Sequence, residues 1–76
     1  PNPTTDVLNV YFNSSAAAAT SIRIFDISGK AVYTETLQAA LGINQELLKI
    51  AHLPSGVYSL QIQNATETQQ QLFVKE

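Results

Sequence analysis

The sequence contains no cysteine, methionine or tryptophan, and its 76 residues include only three glycines and three prolines. Without cysteine the chain forms no disulfide, offers no thiolate to a metal ion and has no thiol nucleophile. A protein that lacks both cysteine and methionine also presents little that oxidants attack, which weakly favours an exposed, extracytoplasmic location.

Charge is scarce as well, since only 13% of the residues are charged and the formal net charge is -2. Binding to nucleic-acid phosphates requires clustered Lys and Arg, so that function is disfavoured. No apolar run reaches the roughly 20 residues of a membrane span, and the start shows no signal-peptide pattern. The chain is nevertheless 45% hydrophobic, which predicts a single small ordered domain with a thin core.

Short segments that alternate polar and apolar residues recur at intervals of about ten residues. Ile22 and Ile24 are predicted to face inward, as are Tyr58, Leu60 and Ile62. The pattern predicts an all-β fold, an antiparallel β-sandwich of about six to seven short strands, because helical crossovers have no room. The predicted strands are Val7 to Phe12, Thr20 to Ile27, Ala31 to Leu37, Asn44 to Ile50, Val57 to Gln63 and Thr68 to Val74.

Two turns stand out between these strands. The first is Asp26 to Lys30, in which Gly29 is expected to have a positive φ. The second is Leu53 to Gly56, where Pro54 would occupy the first central position and Gly56 would tolerate the left-handed region.

Three other connections are less clear-cut. Ala16 to Ala19 is helix-forming by propensity but too short for a stable helix, so it is predicted to be a loop or one irregular turn. Leu37 to Ile50 is also compatible with a helix, but Gly42 in its middle favours a strand, a loop and a strand. Asn64 to Thr66 is predicted to connect a hairpin.

The residues do not indicate catalysis. His52 is the single imidazole and is interpreted as a surface side chain, since one histidine without cysteine makes a zinc site improbable. Ser28 and Ser55 do not lie in a nucleophile elbow, and Asp6 and Asp26 are better explained as turn or strand-end carboxylates. We therefore expect no catalytic residue, no metal and no cofactor.

Four motifs occur in order: Pro1 to Asp6, Ile22 to Tyr33, Leu53 to Tyr58 and Phe73 to Glu76. Together they resemble the type A C-terminal sorting domain of the type IX secretion system of Gram-negative bacteria, and the resemblance covers residues 1–76 as one domain. The residues that match the family's motifs are Pro1, Asn2, Pro3, Asp6, Asp26, Gly29, Lys30, Leu53, Pro54, Gly56, Tyr58 and Lys75.

The resemblance implies an immunoglobulin-like sandwich that belongs to a larger secreted precursor and ends it at residue 76. The precursor would cross the periplasm, be recognised by the outer-membrane translocon and reach the cell surface or the medium. A sortase-like cysteine protease would then remove the domain, and the cargo would often be attached to lipopolysaccharide. The implied partners are the translocon and this protease.

Some expectations and departures accompany the resemblance. The extended, proline-stiffened entry at Pro1 and Pro3 suits a connection that a protease reaches, and the last strand is expected to offer an open edge for strand addition. Exposed edges also predict self-association at high concentration. The Ala16 to Ala19 run has fewer distinctive side chains than is usual for the family, and Gln69 to Gln71 replaces a stretch that often carries lysine.

Two alternatives are left open by the sequence. The chain is also compatible with an immunoglobulin-like accessory module, a spacer or carbohydrate binder retained on a secreted enzyme or adhesin. A small protease inhibitor on a sandwich scaffold is the weaker alternative.

Overall fold

The computed structural model describes residues 6–65 and 67–76. The expected opening motif Pro1-Asn2-Pro3 and residue Thr66 of the expected hairpin lie outside the described residues. Six strands are formed: β1 (Val7–Ser14), β2 (Ala18–Phe25), β3 (Ala31–Ala39), β4 (Gly42–Lys49), β5 (Gly56–Gln63) and β6 (Thr68–Lys75).

The strands form two antiparallel sheets that pack as a sandwich. The larger sheet has the order β3-β2-β5-β6 and the smaller one pairs β1 with β4. The predicted all-β sandwich of about six to seven strands is therefore confirmed, and the architecture is consistent with an immunoglobulin-like fold.

The core follows from the alternation along each strand, because successive side chains point to opposite faces of a sheet. Ile22 and Ile24 of β2 and Leu48 of β4 are fully buried, and β1 buries every second residue from Leu8 onward. Burying one such large apolar side chain contributes about 1.5–3 kcal/mol. The core residues are Leu8, Val10, Phe12, Ile22, Ile24, Ala39, Leu48, Ile50, Leu53, Tyr58, Leu60, Ile62 and Phe73.

Both predicted limits of β2 were wrong, and most other strand limits differ from the prediction by one or two residues. β2 begins at Ala18, so half of the Ala16 to Ala19 run pairs as strand, with Ala18 opposite Ala39. β2 ends at Phe25 rather than Ile27, because the Asp26 side chain starts a turn there. The interpretation of residues 37–50 as strand, loop and strand is confirmed, with β3 ending at Ala39 and β4 beginning at Gly42.

The late turn lies earlier than predicted. Its hydrogen bond joins Leu53 N–H to the Ile50 carbonyl at 3.0 Å, so the turn spans Ile50 to Leu53 instead of Leu53 to Gly56. Gly56 opens β5 opposite Lys75, and this pairing requires extended backbone. Among the described residues the positive φ angles belong to Gly29 (91°) and Gly42 (100°); the prediction was thus correct for Gly29 and wrong for Gly56.

Candidate functional site

The described motif residues gather at one end of the sandwich. β1, β3 and β5 begin there and β2, β4 and β6 end there, because every paired strand is antiparallel. Registered pairs tie the segments together: Val7 lies opposite Lys49, Phe25 opposite Ser59 and Gly56 opposite Lys75. We call this surface the motif end; it comprises Asp6, residues 26–30, residues 53–58 and Lys75.

The turn at residues 26–30 is organised by Asp26. Its Oδ1 accepts hydrogen bonds from Ser28 N–H at 2.9 Å, Ser28 Oγ–H at 2.6 Å and Lys30 N–H at 3.0 Å. These bonds, the Ser28 hydroxyl first, hold the pKa of Asp26 below its usual value. Gly29 N–H donates to the Asp26 carbonyl at 2.9 Å, and Gly29 supplies the positive φ that closes the turn.

The segment before β5 is fixed by Tyr58 and Leu53. The Tyr58 hydroxyl donates to the Pro54 carbonyl at 2.5 Å, and its ring stacks on Phe73 with the centroids 5.6 Å apart. Leu53 and Tyr58 are both buried. Both side chains therefore support this end of the sandwich from inside.

Lysines also collect at this end, although one of them is largely buried. All three lysines of the sequence lie at or beside it: Lys30 in the turn, Lys49 at the end of β4 and Lys75 at the end of β6. Lys75 is only 8% exposed, and its Nζ donates to the Glu76 carbonyl at 3.3 Å.

The exposed part of the motif end consists of Asp6, residues 27–30, residues 54 and 55, and Val57. Asp6, Lys30 and Pro54 are exposed, and beside them Ile27 projects from the tip of its turn with 91% of its surface accessible. Sequence reasoning placed Ile27 both at the end of a strand and in the turn at residues 26–30, and it did not single this residue out as a surface feature. The signal was available, because an apolar residue between Asp26 and the Ser28-Gly29 pair cannot continue the alternation of β2.

A second group of titratable residues lies between the edges of the two sheets, where β3 faces β4. Tyr33 donates its hydroxyl hydrogen to Glu35 Oε1 at 2.8 Å, and burial together with this carboxylate raises the pKa of Tyr33 to about 12. Burial and the neighbouring Glu35 raise the pKa of Glu46. Sequence reasoning missed this group, because the two glutamates come together only when the sheets pack.

Comparison with known protein families identifies the family of the whole chain. The family described as secretion system C-terminal sorting domain matches residues 1–76. The chain belongs to this family. In the searches of curated proteins and of solved structures, nothing matches this chain. As a member of this family, the sorting domain is a signal for type IX secretion.

The same finding bears on the alternatives. A family of sorting signals is not a family of catalysts, and it does not favour an accessory module or an inhibitor. Within residues 6–65 and 67–76, no helix is long and apolar enough to cross a membrane.

Proposed function

We propose that the type IX machinery reads the motif end of the folded sorting domain, with Ile27, Lys30 and Pro54 as the contact residues. The observation that carries the proposal is that the motif positions among the described residues, which are scattered along the chain, gather at one end of the sandwich. A signal shared by different cargo proteins needs a surface that depends on the domain alone.

The buried motif residues shape this surface. Asp26 and Gly29 set the turn that presents Ile27 and Lys30, while Tyr58 holds Pro54 in place. The exposed isoleucine supplies an apolar anchor and the lysine an ionic contact. A few central residues carry most of the binding energy of an interface, so a surface this limited can be recognised.

The proposal extends to the partners and the route. The outer-membrane translocon binds the motif end after the precursor has entered the periplasm of a Gram-negative cell, and the cargo then reaches the surface or the medium. Asp6 lies at the same end, where its carbonyl accepts from Ile50 N–H at 2.9 Å. A sortase-like protease that cleaves ahead of the domain therefore acts beside the surface that the translocon reads.

An export assay tests the proposal. Residues 1–76 are fused behind a periplasmic reporter in a type IX-competent strain, and the exported fraction is measured for the intact fusion and for two charge-insertion variants. Ile27→Asp is expected to lower export about tenfold, because it removes an apolar anchor from a binding site. Leu41→Asp, at a 72% exposed position at the opposite end, is the matched control and should leave export unchanged.

Both substitutions are at exposed positions and are expected to change the free energy of unfolding by less than about 0.5 kcal/mol, which thermal denaturation checks. Equal export of the two variants contradicts the proposal that the motif end is read. Retention of the intact fusion in the periplasm contradicts the sorting role itself.

A further inference from the structure

The strand edges of this sandwich differ in how well they are protected. β1, β3, β4 and β6 each have one open side in the described part of the chain. Natural sheets protect such edges with inward-pointing charges, lysines or irregular pairing. β3 carries Glu35 and pairs irregularly with β2 between Ala31 and Tyr33. β4 carries Glu46 and Lys49, and β6 carries Lys75. β1 has no charged residue, proline, glycine or bulge in its eight positions.

The backbone groups on the open side of β1 are identified by two hydrogen bonds. The Asp6 carbonyl accepts from Ile50 N–H, which places even-numbered residues in the hydrogen-bonded pairs with β4. Gln69 Nε2 donates to the Asn13 carbonyl at 3.3 Å from the opposite side. In an antiparallel strand the intervening residues face away from the paired neighbour. Asn9 and Tyr11 therefore present their N–H and C=O groups at the open edge.

The larger sheet extends past this edge and leaves a site beside it. Four strands pack against two, so the inner face of β6 around Gln69 and Gln71 has no strand opposite it, and both glutamines are exposed. Tyr11, Leu60, Ile62 and residues 69–71 line a cleft of about 60 Å³ between β1 and β6. One added strand next to β1 would lie over these glutamines.

From this we propose that the β1 edge binds one extended, uncharged polypeptide segment by strand addition, and that the segment comes from the type IX machinery; the choice of source rests on the proposed function. Side chains of the segment that face inward would hydrogen-bond the amides of Gln69 and Gln71. Those that face outward would lie beside Tyr11, where aromatic and β-branched residues pair well. A charged inward side chain would be buried in the cleft without a counter-charge.

A second copy of this chain does not fit the same edge. Paired strands lie about 4.8 Å apart, and two copies joined through β1 would each bring a β6 strand that extends beyond its own β1. The two β6 strands would then compete for the same space. The sequence-based expectation placed strand addition at the last strand, whose inward Lys75 makes it a poorer edge than β1.

Proline substitutions at two matched positions test the proposal. Asn9 and Gln45 are diagonal neighbours, since Asn9 pairs with Leu47 and Gln45 with Tyr11. Both residues occupy positions whose N–H groups point to open edges, Asn9 on β1 and Gln45 on β4. Gln45 Nε2 donates to Asn9 Oδ1 at 2.9 Å, so either substitution removes this same bond. In the reporter fusion, Asn9→Pro is expected to lower export about tenfold, since proline deletes an N–H and blocks strand pairing. Gln45→Pro is expected to stay close to the unsubstituted fusion.

Two further variants guard against misfolding as the explanation. Asn9→Thr loses the bond to Gln45 but keeps the backbone N–H, and it should retain export. If thermal denaturation shows Asn9→Pro unfolded, Asn9→Lys and Gln45→Lys replace the proline pair, with loss of export expected for the β1 variant alone. Full export of a folded Asn9→Pro or Asn9→Lys fusion overturns the proposal.

Photo-crosslinking identifies the occupant. Benzoylphenylalanine in place of Tyr11, with Gln45 as the control position, is expected to link the fusion to a polypeptide of the secretion machinery from Tyr11 alone. A product that joins two fusions would assign the edge to a second copy and overturn the proposal, as would the absence of any product. Because export of the unsubstituted fusion is scored in parallel, failure at β1 is separable from failure of the sorting role.

Discussion

The two ends of the sandwich each carry a turn closed by one glycine and one side chain, but their chemistry differs. At the motif end, Gly29 has φ 91° and Asp26 bonds backbone and hydroxyl groups. At the opposite end, Gly42 has φ 100°, and Asn44 bonds Ala40 N–H, the Ala40 carbonyl and the Gly42 carbonyl at 2.9, 2.8 and 3.1 Å. An amide therefore closes a turn as well as a carboxylate does. The negative charge of Asp26 is thus not a requirement for closing a turn of this kind.

The largest expected effects test whether the two turn glycines contribute equally to the free energy of unfolding. Gly29→Ala and Gly42→Ala should each lower the free energy of unfolding by about 1–2 kcal/mol, because an L-residue is strained at these φ angles. Apart from the adjacent residues of the chain, no atom lies within 4 Å of an added Cβ at either glycine, so the expected loss comes from backbone strain and not from a clash. Chemical denaturation of the isolated domain measures it. A clearly larger loss at one glycine would break the equivalence.

An effect of intermediate size on the free energy of unfolding is expected from the Tyr58 hydroxyl, which lies at the motif end. Tyr58→Phe keeps the ring stacked on Phe73 but removes the hydroxyl that donates to the Pro54 carbonyl, and it should cost about 1 kcal/mol. Tyr11→Phe is the control, since Tyr11 is 62% exposed, and its stability should not change. An unchanged free energy of unfolding for Tyr58→Phe would show that the bond to Pro54 does not stabilise the motif end.

The smallest effects are pH dependences of opposite sign at two carboxyl groups. The folded-state pKa of Asp26 is lowered from about 3.8 by hydrogen bonds, so its contribution to stability is present above the unfolded pKa and is lost as the pH falls through the folded one. The pKa of Glu46 is raised from about 4.5, so stability is lost as the pH rises through its folded-state value.

Denaturation curves at a series of pH values check these signs. Asp26→Asn should remove part of the loss of stability in acid, and Glu46→Gln should remove part of the loss that accompanies rising pH. The Asn44 turn has no carboxylate, so Asn44→Ala should shift stability without altering its pH profile. A changed profile in Asn44→Ala, or none in Asp26→Asn, would contradict the charge difference between the ends.

The strands were predictable because apolar and polar residues alternate along each strand. Leu8, Val10 and Phe12, or Tyr58, Leu60 and Ile62, define a buried face without reference to any other segment. The turn at Gly29 was predictable for the same reason, since the local sequence determines it. Gly56 was misjudged because its conformation depends on pairing with Lys75 in another strand.

The site was predictable in its residues but not in its arrangement. Motif matching named Asp26, Lys30 and Pro54, yet nothing local shows that they share one end with Lys75. The division into four strands and two, the exposure of Ile27 and the approach of Glu35 to Glu46 all depend on how distant segments pack. A pattern of alternation carries no such information.

The small sheet forms only when two distant segments of the chain meet. β1 pairs only with β4 among the described strands, and Val7 finds its partner in Lys49 far along the chain. Contacts between distant segments form slowly, since a long loop must close first. Until β4 is available, the uncharged first strand has no hydrogen-bonding neighbour, and a chaperone able to shield an extended apolar segment would be of most use to the nascent precursor at that stage.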